Sequence, residues 1–379
     1  MTDITIIGAG IGGLTTAIAL QQKGFKVSVF EQSEELKEVG AGIILANNAM
    51  QVYEKLGLRE AIEKAGNPIS TMNLTDADLQ PLSHMDMSYF EKKYQVKNIA
   101  IHRGVLQRIL LDQLTSMEGN LNHRLKGIQP TGSGYSLSFE NGKTYKTAIL
   151  IGADGLHSKV RQLLFPTHEI REAHQVCWRG ITRCELPFEY FNELNEAWGK
   201  NGRFGFVQVS KNRVYWYALK SYKIDAQEFS VDQLENSFED FNPIIKYLIK
   251  STPKENIHTA SLSDLKPMHQ WFEQNACLIG DAAHATTPNM GQGACQAIED
   301  AYVLSECMEK YATEEAFEKF QNVRLPKAHQ VTNGSWLVGK VAHTSNPLLM
   351  GVRNLMMRWM PAAINRKQTE KIFQLPVMK

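Results

Sequence analysis

The sequence predicts an α/β protein: a Rossmann-like dinucleotide-binding domain interleaved with a substrate domain built on an antiparallel β-sheet, plus C-terminal helices. Three observations predict it. An apolar run, Ile4-Thr5-Ile6-Ile7, leads directly into Gly8-x-Gly10-x-x-Gly13 and a helical stretch. Residues 172–262 are rich in aromatic and β-branched residues, in runs such as RFGFVQV and RVYWYAL. A second glycine-rich turn follows the short apolar run Cys277-Leu278-Ile279-Gly280.

In chain order, Thr15 to Lys23 reads as a helix stopped at Gly24, and Lys26 to Phe30 alternates as a strand. Residues 49–66 read as helix broken near Gly57, and Val105 to Ser116 as a longer amphipathic helix. Tyr135 to Phe139 and Thr144 to Leu150 read as a hairpin joined at Asn141-Gly142. A helix is expected from near Gly293 through Cys307, with further helices over 313–340 and 346–375. The dinucleotide domain therefore comprises 1–70, 98–170 and 265–325, and the substrate domain 71–97 and 171–264; residues 326–379 form the C-terminal segment.

Composition sets the bounds. The 379 residues are 43% apolar and 21% charged, ordinary for a globular chain with a sizeable core. A net charge of +1 gives no global field for nucleic acid. The five cysteines (Cys177, Cys184, Cys277, Cys295, Cys307) form no CxxC, and their odd count argues against a disulfide framework; a reducing, cytoplasmic setting fits best, and no metal is expected. The first strand lacks a basic leader, and no apolar run is long enough for a membrane span. No pattern points to an oligomer.

The chemistry resides in the glycine-rich turns. Gly8, Gly10 and Gly13 permit a tight turn and close backbone approach to a pyrophosphate, which the helix N-terminus then attracts. Glu31, at the end of the second strand, suits the two hydroxyls of a ribose and would repel a 2′-phosphate, pointing to FAD or NAD. In Gly280-Asp281-Ala282-Ala283-His284, followed by Pro288 and Gly291-Gln292-Gly293, a carboxylate precedes another turn into a helix. Two such sites converging on one ligand suggest FAD held end to end. Asp281 would bond the ribityl chain, and the helix starting near Gly293 would aim its positive end at the flavin.

At these residues the chain resembles the class A flavoprotein monooxygenases of the p-hydroxybenzoate hydroxylase type. The Gly8–Gly13 turn with Glu31 resembles their ADP fingerprint, Gly152-Ala153-Asp154-Gly155-Leu156-His157-Ser158-Lys159-Val160-Arg161 their DG motif, and Gly280–His284 their GD motif. The resemblance implies that Arg103, Gln107 and Asp154 serve the cofactor and that Pro288 lies by the flavin edge. It also implies that NADH or NADPH reduces FAD as a transient co-substrate. Oxygen then adds at flavin C4a, and the resulting hydroperoxide hydroxylates a small electron-rich substrate. No second GxGxxG is present for a separate nicotinamide domain.

Arg203 and Tyr215 lie on neighbouring predicted strands and resemble a pair in the FAD-dependent urate hydroxylases, as does the run TTPNMGQG at 286–293. They are the candidate catalytic residues with Pro288, and urate or a related heterocycle is the first substrate class. The competing readings are a hydroxylase of a phenolic, quinolone or antibiotic-like aromatic, a polyene epoxidase, and an FAD reductase without oxygen insertion. His284 reads as a support for the turn, Cys295 as a buried small hydrophobe, and Trp178 and Arg179 equally as pocket or packing residues. The basic, Met-rich segment Met350–Lys371 reads as a helix packed on the substrate domain, with weak peripheral membrane contact as the alternative.

Overall fold

A computed structural model of the chain describes residues 3–36, 41–114, 120–165, 168–200, 202–222 and 229–378. Its first layer is a five-stranded sheet in the order Phe272–Glu273, Ala276–Leu278, Ile149–Gly152, Asp3–Ile7, Lys26–Phe30. The last four strands are parallel, and Phe272–Glu273 is an antiparallel edge. The central strands are nearly continuous apolar runs because both faces are covered: Ile149–Gly152 is buried along its whole length. The helix Ile11–Gln22 crosses the helix Gly293–Lys310 closely, and a Cβ at Gly12 would stand 3.0 Å from that of Ala297.

The second layer is a seven-stranded sheet in the order Ile257–Leu265, Ile170–Thr182, Arg213–Ser221, Arg203–Ser210, Glu193–Trp198, Thr71–Asp76, Pro81–Asp86. All its pairs are antiparallel except Glu193–Trp198 with Thr71–Asp76. Alternation along the pleat sorts its residues onto two faces. Trp178, Phe204 and Trp216 pack in a core that also holds Leu234 and Leu248 of the helices Asp232–Ser237 and Pro243–Lys250. Arg179, Gly205 and Glu196 fall opposite Tyr217 in register, which puts Arg179, Glu196, Arg203, Tyr215 and Tyr217 on the other face. A three-stranded sheet of Gly42–Leu45, Asn98–His102 and Asn67–Ile69 abuts that face, and a Cβ on Gly42 would lie 2.4 Å from the Tyr215 ring. The strands Leu125–Thr131, Gly134–Phe139 and Thr144–Thr147 form a separate meander.

Several expected bounds are corrected. The stretch 144–150 divides at Ala148: Thr144–Thr147 ends the meander, and Ile149 begins a central parallel strand. The first helix begins at Ile11, since its N-terminus is the glycine turn itself. The helix expected to reach Ser116 spans Arg103–Leu111, and residues 115–116 lie outside the described residues. The helix expected over 313–340 spans Thr313–Ala342, Pro326 included. The segment 346–375 is two helices, Pro347–Arg358 and Ala362–Phe373, because Pro361 cannot continue the first. The first of them lies against the strand Pro81–Asp86 of the substrate sheet but turns its apolar side outward: Leu348 is 81% and Trp359 80% exposed.

Candidate active site

The first turn is shaped by two glycines and left open by a third. Gly8 has φ +107°, and a methyl there would strike the carbonyl oxygen of Ala153 at 2.5 Å; one on Gly13 would strike that of Gly8 at 2.0 Å. A methyl on Gly10 would meet nothing within 4 Å. The helix that starts there has neither a side-chain cap nor an acidic residue in its first turn, so its free N–H groups face an open cradle. Glu31 Oε2 accepts from the N–H of Ala9 at 2.8 Å, and its Oε1 from Ser33 N at 3.0 Å. Gln107 Nε2 donates to the Ala9 carbonyl at 3.0 Å, so two predicted cofactor residues hold the peptides on either side of Ala9 in the turn. Arg103 is exposed at the start of its helix.

The second turn repeats the design. Gly280 (φ +55°) precedes Asp281, and Gly291 (φ +62°) stands in open space before the helix Gly293–Lys310. That helix also lacks a side-chain cap and an acidic first turn. A Cβ on Gly293 would be 3.9 Å from Asp281 Oδ1. Asp281 is solvent-exposed, yet the protein crowded around it raises its pKa, with His284 and Arg103 opposing the rise. Both properties suit a carboxylate at the bottom of an open cleft. Pro288 is exposed in the short turn Pro288–Met290 beside it.

Asp154 stands apart in its bonding. Its carboxylate accepts from Ser158 Oγ at 2.5 Å, Lys159 N at 2.6 Å and Val160 N at 3.1 Å, capping the helix Lys159–Leu164. Buried Arg161 then donates to the carbonyls of Leu156 and Ala282, tying the DG loop to the GD turn. Beneath that turn, His284 Nε2 lies 2.6 Å from Asp300 Oδ2, which also accepts from Gly280 N at 2.8 Å. Burial pushes Asp300 upward, but His284 and Arg324 overcome it and hold its pKa at about 2. Arg324 and Lys327 share Glu299, so this network, buried but for the edge of Lys327, is charge-paired throughout. Cys295 is buried with its Sγ 3.5 Å from Ala46 N, a packing role.

The seven-stranded sheet supplies the opposite wall. Arg203 is 1% exposed, and its Nη1 donates to Glu196 Oε1 at 3.0 Å. Its Nη2 donates to Asn289 Oδ1, so it reaches the turn that holds Pro288. Tyr217 OH donates to the other oxygen of Glu196, and Trp198 Nε1 donates to Oε1 at 2.7 Å. Tyr215 is not in this cluster. Tyr217 stands between it and Arg203, their tyrosine rings 5.8 Å apart. Tyr215 lies instead near Arg179, Cys177 and Arg103, and burial raises its pKa well above the usual phenol range. Trp178 and Arg179 part company: Trp178 packs in the core behind, and Arg179 belongs to the wall. Glu196, Tyr217 and Asn289 went unread in the sequence. The nearest signal was Glu196 two positions before Trp198 in the strand run ELNEAW, which needs its partner strands to be interpreted.

Residues 1–335 match the family described as the FAD binding domain. The chain belongs to this family of FAD-dependent monooxygenases. It is 33% identical to the aurachin C monooxygenase/isomerase of Stigmatella aurantiaca, over 94% of each chain. It is 28% identical to the 2-heptyl-3-hydroxy-4(1H)-quinolone synthase of Pseudomonas aeruginosa over 98% of this chain and 97% of that one. The fold matches that of Klebsiella pneumoniae HpxO complexed with FAD and uric acid, with a TM-score of 0.89 at 24% identity over 98% and 96% of the two chains. The residues of the monooxygenase fit FAD: an open cradle at Gly10, two uncapped helix N-termini, and Glu31 and Asp281 at the two turns. Among its described residues no helix is long and apolar enough to cross a membrane, and no cluster of His, Cys, Asp and Glu has the makings of a metal site.

Proposed function

We propose that this monooxygenase takes electrons from NADH or NADPH and hydroxylates a heteroaromatic ring bearing one polarised oxygen, of the 2-alkyl-4-quinolone kind. The observation that carries this reading is the pairing of Arg203 with Glu196. It neutralises the arginine expected to hold an anionic purine. Arg179, beside Tyr215, remains as a cation on the wall with no carboxylate partner among the described residues.

Bound FAD supplies the redox and oxygen chemistry. The protein binds, orients and shields. Glu31 and the helix Ile11–Gln22 would hold the adenosine and pyrophosphate, with Arg103 and Gln107 beside them. Asp281, Gly291 and Gly293 would hold the ribityl chain and ring, and the positive end of Gly293–Lys310 favours negative charge there. Asp154 acts through the loop it caps. Arg179 favours negative charge on a substrate oxygen, which enriches the ring to be hydroxylated. Tyr215 stays protonated and donates a hydrogen bond, and the tyrosine rings offer stacking faces. We assign 1–70, 98–170 and 265–325 to the cofactor half and 71–97 and 171–264 to the substrate half. Free cysteines and a nicotinamide reductant suit a reducing, cytoplasmic setting.

The aurachin name of the relative at 33% identity supports this ring class over urate, whose hydroxylases match at 29% and 27% identity. The test follows NADH and NADPH oxidation, oxygen uptake and product mass for the purified holoenzyme with a 2-alkyl-4-quinolone or with urate. The quinolone is expected to stimulate turnover and gain one oxygen atom. Stimulation and hydroxylation of urate alone would reverse the assignment.

A further inference from the structure

The helix Pro347–Arg358 is built inside out. Leu348, Val352, Leu355 and Trp359 recur at helical spacing on its outer side and are 81%, 57%, 56% and 80% exposed. Leu349 and Met356, beside that stripe, are 58% and 65% exposed. Arg353, in the middle of the helix, points inward: it is 7% exposed and donates to the Ala342 carbonyl at 3.0 Å. A helix on a soluble protein normally turns its apolar stripe to the core and its charges to water. A contiguous exposed apolar face of this kind marks an interaction surface.

Charge chooses the partner. From residue 319 to residue 369 the sequence contains no aspartate or glutamate. Arg366 and Lys367 are exposed on the next helix with Ile364, and Arg358 flanks the stripe half-exposed, paired with Asp76 at 3.4 Å. An apolar stripe ending in tryptophan and bordered by basic residues has the composition of a helix lying in a membrane interface. We propose that this face docks the enzyme on an anionic lipid bilayer surface. A second copy of the chain would bring the same basic borders together, which repel.

The docked helix would also sit beside the substrate wall. The Arg353 guanidinium stacks over the Trp198 ring at 5.1 Å, and Trp198 bonds Glu196, the partner of Arg203. Lipid docking thus brings that edge of the site to the bilayer. The inference rests on the exposed face and stands whatever the substrate is.

The test is flotation of the FAD-loaded enzyme with vesicles of phosphatidylcholine alone or mixed with phosphatidylglycerol, at low and high salt. Binding is expected to the mixed vesicles and to weaken with salt. Val352→Asp/Leu355→Asp should lower the bound fraction by about tenfold while keeping the flavin absorbance. Arg366→Glu/Lys367→Glu, which leaves the apolar stripe intact, should bind less and lose its salt dependence. Wild-type enzyme that floats with neither vesicle overturns the proposal. So does a dimer by light scattering that Leu355→Asp dissociates, with no lipid binding, since the face would then join two copies.

Discussion

Arg203 bridges the two halves of the molecule: one nitrogen of its guanidinium donates to Glu196 in the substrate sheet and another to Asn289, next to Pro288 in the turn before Gly293. The pair is nearly dry, so removing one member strands the other. Arg203→Ala is expected to keep FAD and to lose coupled hydroxylation. It should also lose about 3 kcal/mol of stability, the usual cost of leaving a buried charge unpaired. Arg203→Met/Glu196→Gln should recover most of the stability but not the coupling. Denaturant melts and product-to-NAD(P)H ratios report the two effects separately. Full coupling in Arg203→Ala would remove this residue from the site.

The glycine turn separates folding from binding. Gly13→Ala puts a methyl 2.0 Å from the Gly8 carbonyl oxygen and should yield little folded protein. Gly10→Ala meets no protein atom and should fold normally while binding FAD at least about tenfold more weakly, a loss of roughly 1.4 kcal/mol. Flavin content of the purified protein measures this. A fully yellow Gly10→Ala protein would mean that the pyrophosphate lies elsewhere.

Glu31 is both a strut for Ala9 and the expected ribose acceptor. Glu31→Ala should weaken FAD by about tenfold or more, the scale of losing hydrogen bonds to a charged group. Flavin fluorescence titration of the apoprotein gives the constant. An unchanged constant would relocate the adenosine site.

His343 predicts an acid-side loss of stability. Burial, then the nearby Arg203 and Arg353, lower its pKa from 6.5 to about 3 in the folded protein. Between those values the unfolded chain binds the proton and the folded one refuses it. Stability is therefore full above about pH 6.5 and declines as pH falls toward 3. His343→Gln should flatten that decline, as read from the melting temperature across the window. An identical slope in the variant would show that other groups govern it.

Much of this protein was written in local patterns. The order of the glycines, Glu31 at a strand end and the Asp281 turn each concern residues a few positions apart, where backbone geometry and helix polarity act directly. From them the sequence by itself determined an FAD-binding α/β fold with two glycine-rich turns and an antiparallel sheet opposite. The family match and the fold agree with that reading. The tertiary structure alone decided which face of the sheet each residue joined and what lay across from it. Arg203 found Glu196 through strand pairing and Asn289 through contact between layers, and Tyr217 came to stand between Arg203 and Tyr215. The inverted helix was equally beyond sequence reasoning. Its periodicity is that of any amphipathic helix, and only packing settles whether the apolar side turns inward. Asn289 stands 86 positions from Arg203, and even Glu196, seven positions away, meets it only because two strands pair, so local propensity carries no information about the partner.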